Sequence, residues 1–352
     1  MSEIRIEAIK SRQGKRTMFS TRVDYRFLED AMLEADARSE RRSQRELDLT
    51  HARLIMNYIT KNPDEYVLGS LCFALEGSYE FTPYTDDSDA GLLVIPEGSR
   101  VWSVDGQHRR QGFLNALEKV PVLSSDKISV VIYVEPDLEK RRQMFADMNA
   151  TPKKVSKALS VGFNTRSPFA RAARLVIETH PLIKGRVDET KSSVPKSSEK
   201  WYTLGAVYDA LRVLNSGVYG RMTDEDDYSE LEVTRLGKQF FDLLANSRDE
   251  YQEISDGKYK ASELRDQSIL LSGTTLRAIA GGVRQRLVQD GQTGESLAER
   301  YSNGLRRIDF AKMQRWEHAG FVAPGSLTPA SRLQNIAAGG DLVAEWIAEI
   351  TR

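Results

Sequence analysis

The residues that offer the most chemistry in the shortest span are Asp105-Gly106-Gln107-His108-Arg109. A carboxylate, a glycine, an amide, an imidazole and a guanidinium stand in a row, and Arg110 adds a second guanidinium. The apolar run Arg100 to Val104 precedes them, and a helical pattern, Gln111 to Lys119, follows. A strand that turns through Asp-Gly into a helix presents backbone N–H groups and the positive end of the helix dipole, which suit an anion such as phosphate. Arg109 is the expected anchor, because a guanidinium grips phosphate in bidentate fashion and stays charged. Its plain alternative is a salt bridge to Glu118 or Asp105. His108 is read either as a phosphate or acid–base group or as a packed histidine donating to a carbonyl. Asp105 is read either as a cap of the turn or as a holder of a metal that bridges a nucleotide. Gly106 and Gln107 complete the phosphate-binding set.

Two further polar turns extend the set. Asn149-Ala150-Thr151-Pro152-Lys153-Lys154 follows a helix expected over 137–148, and Gln44-Arg45 heads a helix expected over 45–61. Loops of a compact α/β domain gather at the ends of its strands, where ligands bind. Asn149, Gln44 and Arg45 are therefore candidates for the same phosphate. Charge is also uneven: Lys140 to Arg174 holds nine Lys or Arg residues and one acid, Asp147. Within it Lys153, Lys154, Lys157, Arg166, Arg171 and Arg174 are the candidates for DNA-backbone contact, which gives salt-dependent affinity without reading sequence. A solvated basic helix face is the alternative. Asp224 to Glu230, five acids in seven residues, reads as a solvated loop. A sequence-reading helix would have to enter the major groove. Residues 275–288, with Arg277, Arg284 and Arg286, are one candidate, interrupted by Gly281-Gly282.

The elements that must position these residues fall into two parts. Up to about residue 155, strand-like runs (18–23, 66–75, 92–96, 100–104, 128–134) alternate with helical ones, which predicts an α/β domain. Ile128 to Val134, β-branched and nearly all apolar, reads as a central strand covered on both faces. Residues 77–90 read as a mobile hairpin or insertion. From about 156 to 352 helical periodicity dominates, with segment 184–200, rich in Lys and Ser, read as flexible. Thr328-Pro329 predicts the start of a helix, Ala330 to Ala338, that stops at Gly339-Gly340. The expected fold class is α+β: an N-terminal α/β domain, 1–155, then a mostly helical domain, 156–352.

Composition narrows the classes. The 352 residues carry a formal net charge of −1, with 40% hydrophobic and 29% charged residues, a soluble two-domain profile. No run approaches the roughly 20 apolar residues of a membrane span, and Met1 to Ile6 carries no secretory signal pattern. The single cysteine, Cys72, permits no internal disulfide or cysteine zinc site and is expected to be buried. His51, His180 and His318 lack metal-ligand spacing, so no metal site is expected. A cytoplasmic protein with no membrane partner is the resulting expectation.

Val104-Asp105-Gly106-Gln107-His108-Arg109, with Gln44-Arg45 before it and Phe145-Ala146-Asp147-Met148-Asn149 after it, resembles the DGQHR-domain proteins. Within that group it is most similar to the DndB family, encoded with bacterial DNA phosphorothioation (Dnd) genes. The resemblance covers residues 10–215 best. It implies a DNA-binding transcriptional regulator of the sulfur-modification genes, not the sulfur-transfer enzyme. The implied partners are promoter DNA, other Dnd proteins and, as an allowed state, a homo-oligomer. The group is in turn similar to the ParB/sulfiredoxin superfamily, whose strand-to-helix turn grips nucleotide phosphates. That likeness places Gly106, His108 and Arg109 on phosphate, Asn149 near a phosphate- and metal-holding Asn, and Gln44-Arg45 near a first motif. It leaves open an alternative function, a nucleotide-binding or hydrolysing switch using a nucleotide with Mg2+. Two departures stand out: Gln107-His108-Arg109 replaces the Glu-Arg-Arg of ParB, and no cysteine lies in the turn, which removes sulfinic-acid reductase chemistry.

Overall fold

A computed structural model describes residues 3–35, 49–150, 155–220, 222, 224–291, 294–311, 313–323 and 335–349. The chain divides into two compact units, Met1–Lys153 and Lys154–Arg352. Gln44, Arg45, Lys153, Lys154 and the Thr328-Pro329 pair lie outside the described residues.

The first unit runs β1 (Ile4–Gln13), β2 (Arg16–Val23), α1 (Tyr25–Ala35), α2 (Leu49–Lys61), β3 (Leu71–Glu76), β4 (Glu80–Pro83), β5 (Ala90–Ile95), β6 (Arg100–Asp105), α3 (Gln107–Leu117), β7 (Ile128–Val134) and α4 (Leu138–Ala150). Its strands form one seven-stranded sheet in the order β4-β5-β1-β2-β7-β3-β6. Every neighbouring pair is antiparallel except β3 with β7, which run parallel. The period-2 alternation of strand side chains divides the sheet into two buried faces. Leu71, Phe73 and Leu75 of β3 pack with Phe27, Leu28, Met56, Ile59 and Phe113 from α1, α2 and α3. Cys72 and Ala74 of the same strand join Val104 of β6 and Met144 of α4 on the other face. Each fully buried Leu, Ile, Val, Phe or Met side chain contributes roughly 1.5–3 kcal/mol.

Several expectations are refined here. β1 was not foreseen: Ile4, Ile6 and Ala8 alternate with charged residues, and the strand lies between β5 and β2, not at an edge. β7 alternates buried positions with half-buried ones, and Ser129 is exposed, so one of its faces is fully covered and the other only in part. Residues 77–90 contribute β4, which pairs with β5. The strand expected from Tyr66 begins only at Leu71.

The second unit holds α5 (Lys157–Phe163), α6 (Pro168–Thr179), β8 (Val187–Asp188), β9 (Tyr202–Thr203), α7 (Leu204–Ser216), α8 (Glu230–Ser247), α9 (Asp249–Ser255), α10 (Ala261–Gln267), α11 (Gly273–Asp290), α12 (Leu297–Arg306), α13 (Met313–His318) and α14 (Ile336–Ala348). Trp201, Phe240, Phe241, Leu276 and Trp316 sit in its core. Caps set its helix starts: the Ser167 hydroxyl accepts from Ala170 N at 3.2 Å ahead of Pro168, and Ser296 with Glu299 forms a capping box. Segment 184–200 is held in place, since Arg265 donates to the carbonyls of Lys196 (3.2 Å), Ser198 (2.6 Å) and Lys200.

Gly339-Gly340 is a correction. The pair does not stop a helix; α14 runs through it to Ala348. A Cβ at Gly339 would stand 2.5 Å from the Phe321 ring, and one at Gly340 would stand 2.1 Å from the Tyr219 hydroxyl oxygen. Close packing, not termination, asks for glycine there. Likewise α11 is continuous through Gly281-Gly282, and its stretch from Thr275 to Val283 is almost wholly buried. Arg277 faces Asp209 at 3.8 Å and Arg286 pairs with Asp290. The first half of that helix is thus a core element, while from Arg284 onward it is half-buried to exposed.

Candidate functional site

The Asp105 to Arg109 turn sits where edge strand β6 ends and α3 begins. The helix starts at Gln107, four residues earlier than its apolar pattern suggests, so His108 and Arg109 occupy its first turn. Gly106 makes this possible: it caps the helix with φ 95° and ψ 14°, a left-handed backbone that glycine alone adopts cheaply. A Cβ there would also stand 2.6 Å from Leu71 Cδ2.

Arg109 bends back over the turn. Its Nη2 donates to Asp105 Oδ2, and both side chains are about one-third exposed, at 30% and 35%. The guanidinium lies against Gly69, where a Cβ would be 2.7 Å from Nη1, and against Gly106, where one would be 3.2 Å from Nη2. Gly69 is a site residue that the sequence did not disclose; it lies just before β3 and 40 positions from Arg109. The Asp105 carboxylate therefore goes to Arg109, and the N-cap position belongs to Gly106. A cation in the first turn of a helix stands at the unfavourable end of the dipole. Here Asp105 supplies the compensating negative charge.

Cys72, the register partner of Asp105 across the β3–β6 pair, is buried. Burial pushes its thiol up to about 12, with Asp105 raising it further and Arg109 opposing. A thiol so protonated is a packing group, as expected from its apolar flanks.

His108 acquires a partner that spacing gave no hint of. Its ring stands 5.0 Å from that of His51, tilted by 47°. His51 lies near the first described residues of α2 and His108 in the first turn of α3, so α2 runs beside the start of α3. Gly112 lets the helices close in, for a Cβ there would be 3.0 Å from the Ala52 carbonyl oxygen. The start of α2 is the element that Gln44-Arg45 precedes in sequence.

Asn149 lies in the last turn of α4, and its amide donates to the Phe145 carbonyl at 2.8 Å. α4 packs along β6 from its first half, where Arg141 reaches Trp102 and Glu76, to Met144 beside Val104. The helix thus points its C-terminal turn toward the end of β6 that carries Asp105. Among the described residues, no group of three His, Cys, Asp or Glu side chains is assembled to hold a metal.

The basic stretch reads differently once its partners are visible. Arg141 is buried, bonded to the carbonyls of Glu135 (3.2 Å) and Pro136 (2.7 Å). Arg142 pairs with Glu139. In the second unit Lys157 holds both oxygens of Asp209, at 2.6 and 2.7 Å. Arg171 binds Glu230 at 2.6 Å and the carbonyls of Thr165 and Arg166. Arg174 donates to the carbonyls of Val161, Gly162 and Asn164. Much of this formal charge thus fastens α5 to α7 and α6, and α6 to α8. Arg166 is exposed. The acidic stretch is also engaged: Glu225 accepts from Ser167 at 2.5 Å and Tyr208 at 2.5 Å and faces Arg212 at 3.2 Å.

Among the described residues, no helix is long and apolar enough to cross a membrane. Residues 6–344 match the family model described as DndB, DNA-sulfur modification-associated. No curated protein and no solved structure showed a match.

Proposed function

Because the chain belongs to the DndB family, and so to DNA sulfur modification, we propose that it is a DNA-binding regulator of the modification genes whose Asp105–Arg109 corner grips a backbone phosphate. One observation supports this most: Arg109 is placed in the first turn of α3, at the wrong pole of the helix dipole, with a single carboxylate to satisfy it. A phosphate entering beside Gly106 would exchange with Asp105 for the same guanidinium and gain the N–H groups of the turn. Asp105 then acts as a resident stand-in that keeps Arg109 oriented between binding events. His51 and His108 stand beside the turn, their rings 5.0 Å apart. Arg166 belongs to the proposed DNA-contact set; Lys157, Arg171 and Arg174 belong to it only so far as their present bonds leave donors over. The ParB/sulfiredoxin likeness of the first unit is part of the same proposal.

A gel-shift comparison of a promoter fragment with random DNA tests the regulator. Selective binding at moderate salt is expected; equal binding to both would remove the regulatory reading.

A nucleotide-binding switch is the second reading. It is favoured by His51 of α2 standing 5.0 Å from His108 in the first turn of α3, which brings two imidazoles to the anion-binding turn. Calorimetry with ATP, CTP and GTP plus Mg2+ decides: heat from one of them that disappears in Arg109→Gln is expected for a switch, and silence from all three in folded protein excludes it.

A further inference from the structure

The second unit contains a cavity of about 360 Å³ whose wall is strongly one-sided in charge. Lys157, Arg265 and Arg277 line it against a single carboxylate, Asp209. Two helices of full length begin on it. α7 starts at Leu204 behind the cap Thr203, and α11 starts at Gly273 behind the cap Ser272. Their first turns touch: a Cβ at Gly273 would lie 2.7 Å from Ala206 Cβ. Lys157 closes the third side, its Cγ 3.2 Å from where a Gly205 Cβ would be.

Such convergence is electrostatically costly unless an anion shares it, since each helix start carries roughly half a positive charge. Neither helix has an acidic residue in its first turn to offset that charge. Asp209 is already occupied, bonded to Lys157 at 2.6 Å, with Arg212 at 3.4 Å and Arg277 at 3.8 Å. Arg265 spends its terminal nitrogens on the carbonyls of segment 196–200, and its buried Nε has no partner. Ser192, Ser193 and Thr274 add hydroxyls to the wall.

We infer that this cavity binds a small phosphate monoester, the phosphate seated between the first turns of α7 and α11 and held by Lys157 and Arg277. Three cations against one carboxylate match a dianion better than a carboxylic acid. A cavity near the lower end of the usual ligand range, about 300–1,000 Å³, suits a sugar phosphate or mononucleotide and excludes duplex DNA. The site lies wholly within the second unit and does not depend on the DNA-binding reading of the first.

Titration calorimetry on the full chain tests it, with inorganic phosphate, adenosine 5′-monophosphate and sulfate as probes. Saturable binding of phosphate or the nucleotide at one site per chain is expected, with sulfate weaker. Lys157→Gln and Arg277→Gln should each weaken it about tenfold or more, the scale of one charge-assisted hydrogen bond. Arg109→Gln should leave it unchanged, which separates this site from the corner in the first unit. Circular dichroism confirms that each variant is folded, and Ser193→Ala, a milder change, provides a smaller loss should either charge variant fail to fold. Absence of heat in the wild-type chain at millimolar probe would overturn the inference. So would binding that survives these substitutions in folded protein, or equal affinity for sulfate.

Discussion

The two units solve the same electrostatic problem in opposite ways. At the corner of the first unit an arginine in a helix's first turn is neutralised by its own neighbour, Asp105, at an exposed sheet edge. In the cavity of the second unit two helix starts and three cations share one carboxylate, Asp209, which is 13% exposed. The first arrangement is self-sufficient and can trade its internal anion for an external one. The second is under-neutralised and asks for an anion to be added. Charge counted along the sequence distinguishes neither, because Lys140 to Arg174 looks basic while most of its described arginines are bonded inside the fold.

Removing each carboxylate tests the contrast most severely. Asp209→Asn takes the counter-charge from Lys157 and Arg277, while Arg212 keeps Glu225, and should cost about 2 kcal/mol of stability, less than breaking a fully buried pair because Lys157 is half exposed. Inorganic phosphate should restore part of that in thermal unfolding. Asp105→Asn, at a one-third exposed pair, should cost about 1 kcal/mol or less. Equal losses in denaturant unfolding would erase the distinction.

Gly106→Val attacks the corner's backbone. The left-handed φ and the approach to Leu71 predict a loss of about 2 kcal/mol or more, read by urea titration, with the cavity's ligand binding untouched. A loss below measurement would mean the turn relaxes freely and does not hold Arg109 in place.

A smaller effect concerns Cys72 behind the corner. Its thiol is raised from 9.0 to about 12, so folded protein should react slowly with a thiol reagent at pH 8. The sign is set by the proton: the unfolded thiol ionises first, so this group's contribution is intact below pH 9.0 and fades as pH rises toward about 12. Rapid stoichiometric labelling of native protein at pH 8 would show that the β3–β6 edge opens.

Local pattern carried much of the first unit into view. β7 was plain because Ile128 to Val134 is mostly β-branched, and the β6-turn-α3 corner was plain because Asp-Gly interrupts two patterned runs. What escaped depended on tertiary contact. β1 hides its alternation among Arg, Glu and Lys. His51 meets His108 only because α2 packs beside α3, and Gly69 meets Arg109 only because β3 pairs with β6. Gly339-Gly340 looked like a stop signal because the rings of Phe321 and Tyr219 that require small residues there are remote in sequence. Arg171 and Arg174 looked available because formal charge says nothing of the carbonyls they hold.

The central claim is that Arg109 exchanges Asp105 for a DNA phosphate. Fluorescence anisotropy of a labelled promoter fragment against salt concentration, with wild type and Arg109→Gln, tests it most directly. Affinity should fall about tenfold in the variant and the salt slope should shrink by about one, while Arg277→Gln binds as wild type does. An Arg109→Gln protein that is folded and binds the fragment with unchanged affinity and unchanged slope would contradict the account.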